Sequence, residues 1–120
     1  MLVSGAILQF MAYDLELAER IRELLEGEPA ITEKKMFGGL AFLVHGRMAM
    51  AVSGRGGLLL RVPPEDTEKY AAEPGMEPMV MRGRELVGWM DVAPSAIADP
   101  TALQRYVRVG LDHARSLPPP

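Results

Sequence analysis

Short apolar segments separated by very few residues restrict how this chain can fold more than any other feature of its sequence. Four strand-like segments occupy residues 31–37, 40–44, 48–52 and 58–62, and glycines occur in every gap between them. A parallel connection between neighbouring strands needs about a dozen residues or more, and these gaps are much shorter. We therefore predict an antiparallel meander sheet with glycine-containing turns.

Two amphipathic helices are predicted before and after these strands. Asp14 is a suitable N-cap, and apolar residues follow it at helical spacing until Gly27 and Pro29 end the pattern. Asp99-Pro100 marks the second start, because a capping carboxylate precedes a proline at the first helical position. Further predicted elements are a short helix or turn in residues 65–74 and a hairpin formed by residues 79–82 and 85–92. The expected fold class is a two-layer α+β unit, with the N-terminal and C-terminal helices packed on the sheet.

The chain length of 120 residues indicates one domain with one core. We assign this domain to residues 11–120, because Met11 resembles a natural start. Residues 1–10 are expected to be an N-terminal extension that is either disordered or packed on the domain.

Composition points to a cytoplasmic protein. The sequence contains no cysteine, which excludes disulfides, a thiolate nucleophile and a zinc–thiolate site. No apolar run approaches the roughly 20 residues that span a bilayer. No Lys or Arg precedes Arg20, so the start lacks the charged region of a secretory signal.

The paired glycines Gly38 and Gly39 allow two interpretations. A phosphate-binding loop requires glycines that open a helix, but the residues after this pair, LAFLV, are strand-like. We therefore favour a backbone role, in which the glycines bend the chain between two strands while Phe37 and Leu40 stay in the core.

Other residues with catalytic potential do not form a recognisable constellation. His45 is expected in an exposed turn and His113 near the end of the last helix, without metal-ligand spacing. Glu85 and Asp91 lie on one predicted strand, about 20 Å apart, too far for paired acid–base work. Asp91 is expected to face solvent. We predict no enzyme activity, no catalytic residue, no metal site and no cofactor.

Basic residues near the predicted strands are the main candidates for binding. The interaction candidates are Lys34, Lys35, Arg61, Arg82, Arg84 and Trp89. Solvated strand faces are the favoured explanation of these charges, and we favour a half-buried packing role for Trp89 over a stacking platform. A net charge of −3 and an aromatic content of 6% argue against direct nucleic-acid binding.

The nine methionines also have two interpretations. Methionine fills irregular gaps in cores, and it also builds adaptable binding surfaces. Alternation along the strands places Met48 and Met50 on one face, and Met79 and Met81 together on another. Exposed methionines would indicate a protein partner.

Several segments together resemble the TfoX N-terminal domain family. They are KKMFGGLAFLVHGRMAMAV, LLLRV, GWMDV and the closing LDHARSLPPP, in the same order over nearly the whole chain from residue 11. The residues that match the family's characteristic motifs are Met36, Phe37, Gly38, Gly39 and Gly88, the last followed by Trp89.

The resemblance implies a compact two-layer α+β domain, similar to secretion-chaperone folds that commonly pair as dimers. It implies no catalytic residues. Larger family members resemble regulators of competence genes that act with the cyclic-AMP receptor protein and carry a second, C-terminal domain. This chain ends at SLPPP, so the resemblance gives only weak support for a role in competence regulation.

Three hypotheses follow. The first is a non-enzymatic protein-interaction module that forms a homodimer, has a protein partner and is connected with transcription regulation. The second is a binder of small anionic ligands, or a cryptic enzyme, that uses Arg61 or Arg84 beside the sheet. The third is direct DNA binding, for which we expect no specific complex.

Overall fold

The computed structural model describes residues 13–36 and 38–118, which form an antiparallel sheet and three α-helices. The expected α+β fold class is confirmed. The strands are β1 (Ile31–Met36), β2 (Gly39–Val44), β3 (Arg47–Val52), β4 (Leu58–Arg61), β5 (Met76–Met81) and β6 (Arg84–Val92). The proposed extension at residues 1–10 lies outside the described residues.

The strand order across the sheet is β1-β2-β3-β4-β6-β5, and every neighbouring pair is antiparallel. The first four strands therefore follow the predicted meander. The last two depart from it, because β6 lies between β4 and β5. Pro63-Pro64 end the pairing of β4, and the chain then travels through residues 64–75 to the outer edge before it returns as β6.

The α-helices are α1 (Leu15–Leu24), α2 (Thr67–Ala71) and α3 (Pro100–Ser116), and short 3₁₀ turns precede the last two. Asp14 caps α1, since its carboxylate accepts hydrogen bonds from the amides of Glu16 and Leu17 at 3.0 and 3.2 Å. Asp99 caps α3 in the same way through the amide of Thr101. Both predicted helix starts are confirmed.

One face of the sheet and the three helices enclose a single core. The residues buried there alternate along the strands, as with Leu58 and Leu60 of β4. Helix α3 lies close to β3 and β4, and Gly110 makes this approach possible. A Cβ at Gly110 would lie 2.6 Å from the carbonyl oxygen of Ala49, which is shorter than any normal contact. The helices thus cover one face of the sheet.

A β-bulge between β2 and β3 changes which side chains share a face. Phe42 pairs with Met50, but its neighbour Leu43 pairs with Met48, so Ala49 is an extra residue in β3. Met50 is completely buried in the core, while Met48 lies half-buried on the other face. The prediction that these two methionines share one face is therefore wrong, because simple alternation does not account for the bulge.

The β1–β2 connection shows how the paired glycines are used. Gly38 has a φ of +74°, which favours glycine. A Cβ at Gly39 would lie 2.3 Å from the carbonyl oxygen of Val52, on the neighbouring strand β3. Leu40 follows in the core, with 3% of its surface exposed. The predicted placement of Phe37 in the core lies outside the described residues.

Candidate functional site

The face of the sheet opposite the helices, which we call the open face, carries an apolar groove. Its volume is about 400 Å³, within the range of ligand pockets. Its apolar lining comes from Met36, Ala41, Met48, Ala51, Leu59, Met79, Val80 and Met81, and its polar side chains are Ser53, Arg55, Arg82 and Asp91.

The groove exists because the sheet curls. Met36 belongs to β1 and Met79 to β5, yet these strands form opposite edges of the sheet. Both side chains line the same groove, so the β5–β6 hairpin bends over the open face. Register shifts in the pairing of β5 with β6 contribute to this bend, since bulges increase the local twist of a strand pair.

The β5–β6 hairpin also exposes apolar side chains to solvent. Val80 is 54% exposed, Met81 44% and Val87 65%. Among the described residues, the other large apolar side chain with comparable exposure is Leu15 on helix α1, at 39%. Exposed apolar side chains beside an apolar groove typically mark a binding surface.

Four methionines dominate the lining of the groove, and methionine adapts its shape to different partners. Met79 and Met81 both contribute to this lining. The sequence signals for this site were the number of methionines, the basic candidate Arg82 and the motif residues Met36 and Gly39. Small residues such as Ala41 and Ala51 also line it and are almost fully buried, but nothing in the sequence singled them out.

Asp91 lies at the end of the groove and borders a second, shallower hollow of about 450 Å³. It is half-buried, so it faces solvent only in part. Its carboxylate lies 3.9 Å from the Arg55 guanidinium and on the strand position opposite Glu77. Burial raises the pKa of Asp91, Arg55 partly opposes this, and Glu77 adds to the rise.

Arg61 and Trp89 are brought together by the pairing of β4 with β6. They are directly opposite residues in the register, and the Arg61 guanidinium carbon lies 5.0 Å from the centre of the Trp89 ring. This distance is typical of a cation–π contact. Trp89 is half-buried, so it combines packing with this contact.

The remaining basic candidates are dispersed. Lys34 pairs with Ala41 of the open face, whereas Lys35 pairs with the core residue Leu40, so these neighbours lie on opposite faces of β1. Arg82 and Arg84 flank the exposed β5–β6 turn, and only Arg82 lines the groove. The structure therefore does not gather all six interaction candidates into one patch.

The family model for the TfoX N-terminal domain matches residues 23–114 of this chain. The chain belongs to the TfoX N-terminal domain family. Comparison with curated proteins and with solved structures found no match. The suspected family is thus confirmed, and the matched region of this TfoX domain contains every residue of the groove.

Glycines that carried the resemblance have backbone roles in this TfoX domain. Gly88 has a φ of +89°, its amide donates to the Thr67 hydroxyl at 3.0 Å, and its carbonyl accepts from the Val62 amide at 2.9 Å. These bonds hold β6 against the chain that follows β4 and set the position of the adjacent Trp89. Gly88 therefore shapes the open face without contributing a side chain.

The two histidines lie apart from the groove in this TfoX domain. His45 is exposed in the β2–β3 turn, and His113 is half-buried in the last turn of α3. Burial lowers the pKa of His113, and the charge of Arg61 adds to this effect. Across residues 13–36 and 38–118, no cluster of three or more potential metal ligands occurs. No helix in this part of the chain is long and apolar enough to cross a membrane.

Proposed function

We propose that this TfoX N-terminal domain is a non-enzymatic protein-interaction module that forms a homodimer through its open face. The observation that carries this proposal is the combination of a methionine-lined groove with exposed apolar side chains on the adjacent hairpin. Burying these side chains between two copies would remove apolar surface from water at about 25 cal/mol per Å².

A second copy is the occupant that fits this surface. Each protomer has both a concave apolar groove and a hairpin that exposes Val80 and Val87. A two-fold axis places the hairpin of each protomer at the groove of the other, because a two-fold interface uses the same surface twice.

Charge also favours this arrangement. The β5–β6 turn carries Arg82 and Arg84, whereas Asp91 lies at the far end of the groove and Glu77 lines the adjoining hollow. A two-fold dimer would bring the basic turn of one copy towards Asp91 and Glu77 of the other. Complementary charges of this kind set the orientation of an interface more than its affinity.

The charged side chains of the edge strand β1 favour a dimer that forms through the face of the sheet and not through this edge. Glu33, Lys34 and Lys35 are consecutive and exposed on β1. Charged side chains on an edge strand discourage the addition of further strands.

The test compares two glutamate substitutions at exposed apolar positions. Val80→Glu places a charge in the proposed interface, and Leu15→Glu places the same charge on helix α1, away from the open face. In sedimentation-velocity measurements over a range of concentrations, we expect the unmodified protein and Leu15→Glu to be dimers and Val80→Glu to be a monomer. A monomeric unmodified protein, or a dimer that Val80→Glu leaves intact, would contradict the proposal.

A further protein partner, the link to transcription regulation and a cytoplasmic location are part of the same proposal. Exposed methionine supports the partner, the resemblance supports the link to transcription, and the absence of cysteine supports the location. A pull-down with the dimeric protein and with Val80→Glu would show whether a protein partner requires the open face or the dimer. For direct DNA binding we expect no specific shift in a gel titration.

A further inference from the structure

Arg61 is a half-buried arginine without a carboxylate partner in the described part of the chain. Its guanidinium lies over the Trp89 ring and reaches the carbonyl oxygen of Met48 at 3.4 Å, a long hydrogen bond. The ion pairs of the described residues use other arginines. Burying a cation without an opposite charge costs free energy, so this site is electrostatically unsatisfied.

A second arginine directly precedes the residue whose carbonyl Arg61 reaches. Arg47 begins β3, directly before Met48, and its Nε donates to the Pro118 carbonyl at 2.9 Å. Burial lowers the pKa of Arg61, and the neighbouring charge of Arg47 lowers it further. The two arginines therefore repel each other at the end of the sheet where β3 begins and β4 ends.

His113 of α3 faces the same region. The pKa of its imidazole is lowered by burial and then by Arg61, while Glu65 acts in the opposite direction. Glu65 is exposed, so it offers only a solvated negative charge. The charge of Arg61 thus acts on both Arg47 and His113, while no ion pair among the described residues supplies Arg61 with a carboxylate.

We propose that Arg61 and Arg47 together bind one small oxyanion, a phosphate or carboxylate group, at this end of the sheet. The planar guanidinium presents paired N–H donors that match two oxygens of either group. The Trp89 ring would hold the Arg61 guanidinium in place, which reduces the entropy lost on binding. This site is separate from the groove, because Arg47, Arg61 and Trp89 do not line the groove.

Trp89 makes the site directly measurable, because it is the only tryptophan in the sequence. Its fluorescence should report an anion that binds the guanidinium above its ring. The experiment titrates sodium phosphate and, separately, sodium acetate into the full chain at neutral pH, with ionic strength held constant by sodium chloride. We expect a saturable change in Trp89 emission with at least one of the two anions.

Three variants locate the binding site. Arg47→Gln leaves the Arg61–Trp89 contact in place and should weaken binding about tenfold, since a hydrogen bond to a charged group is lost. Arg61→Gln should abolish the signal, and calorimetric titration should confirm the loss independently of fluorescence. Arg108→Gln is the matched control, because Arg108 is exposed on α3, where it pairs with Glu28 and Asp112, and should bind as the unmodified protein does.

The response to the two anions distinguishes a phosphate ligand from a carboxylate ligand. Saturation by phosphate alone supports a phosphate-type ligand, and saturation by acetate supports a carboxylate, such as an acidic side chain of a partner. The proposal is overturned if neither anion produces saturation, or if Arg47→Gln and Arg108→Gln weaken binding equally. If Arg61→Gln fails to fold, the comparison of the other two variants still shows whether anion binding requires Arg47.

Discussion

Gly39→Ala is a substitution for which the structure gives a definite expectation. A Cβ at this position would lie 2.3 Å from the Val52 carbonyl oxygen and 3.3 Å from the Gly54 amide nitrogen. Both atoms belong to backbone, so neither can move away as a flexible side chain would. Either β2 and β3 must separate locally or their pairing between Leu40 and Val52 must distort.

The size of this effect follows from the same geometry. Overpacking a rigid site by one methyl group costs about 1 to 3 kcal/mol. Contact with backbone places Gly39→Ala at the upper end, so we expect a loss of about 2 to 3 kcal/mol in the free energy of unfolding. Gly83→Ala is the control, because Gly83 has a φ of +77° but a methyl group added there would meet no atom within 4 Å. Its cost should be only that of the left-handed backbone, about 1 kcal/mol.

Urea unfolding monitored by circular dichroism and by Trp89 fluorescence measures both variants. We expect a lower midpoint for Gly39→Ala than for Gly83→Ala, with unchanged slopes. Equal midpoints for the two variants would refute the argument, because they would show that close approach to Val52 contributes nothing beyond the turn geometry.

Two further predictions concern helix α1. Asp14→Ala removes the acceptor for the amides of Glu16 and Leu17 and should cost about 1 kcal/mol in urea unfolding; an unchanged midpoint would contradict the cap. Glu33→Gln removes the two-pronged contact with Arg22 at 2.6 and 2.7 Å, which lowers the pKa of Glu33 in the folded protein. A lowered pKa contributes stability above the unfolded value that is lost as pH falls through the folded value. Thermal stability between neutral and acidic pH should therefore fall less steeply for Glu33→Gln, and parallel curves would disprove this linkage.

Much of the fold could be predicted from local signals. Asp14 and Asp99 mark helix starts through bonds to amides two or three residues away, and short gaps between strands permit only antiparallel pairing. These signals involve only residues that are close in sequence, so they can be recognised without knowledge of the tertiary structure. The structure confirms them. The candidate site was predicted much less completely, since its methionines and Arg82 were singled out but not the groove that they line.

What the amino-acid sequence determined by itself is the α+β class, the two capped helices and the membership of the TfoX N-terminal domain family. Only the tertiary structure decided that β6 lies between β4 and β5, that a bulge turns Met48 towards the open face, and that Arg61 meets Trp89. The physical reason is that strand order and register depend on how distant segments pack against one shared core. Helix caps and tight turns, in contrast, are satisfied within a few residues of the chain.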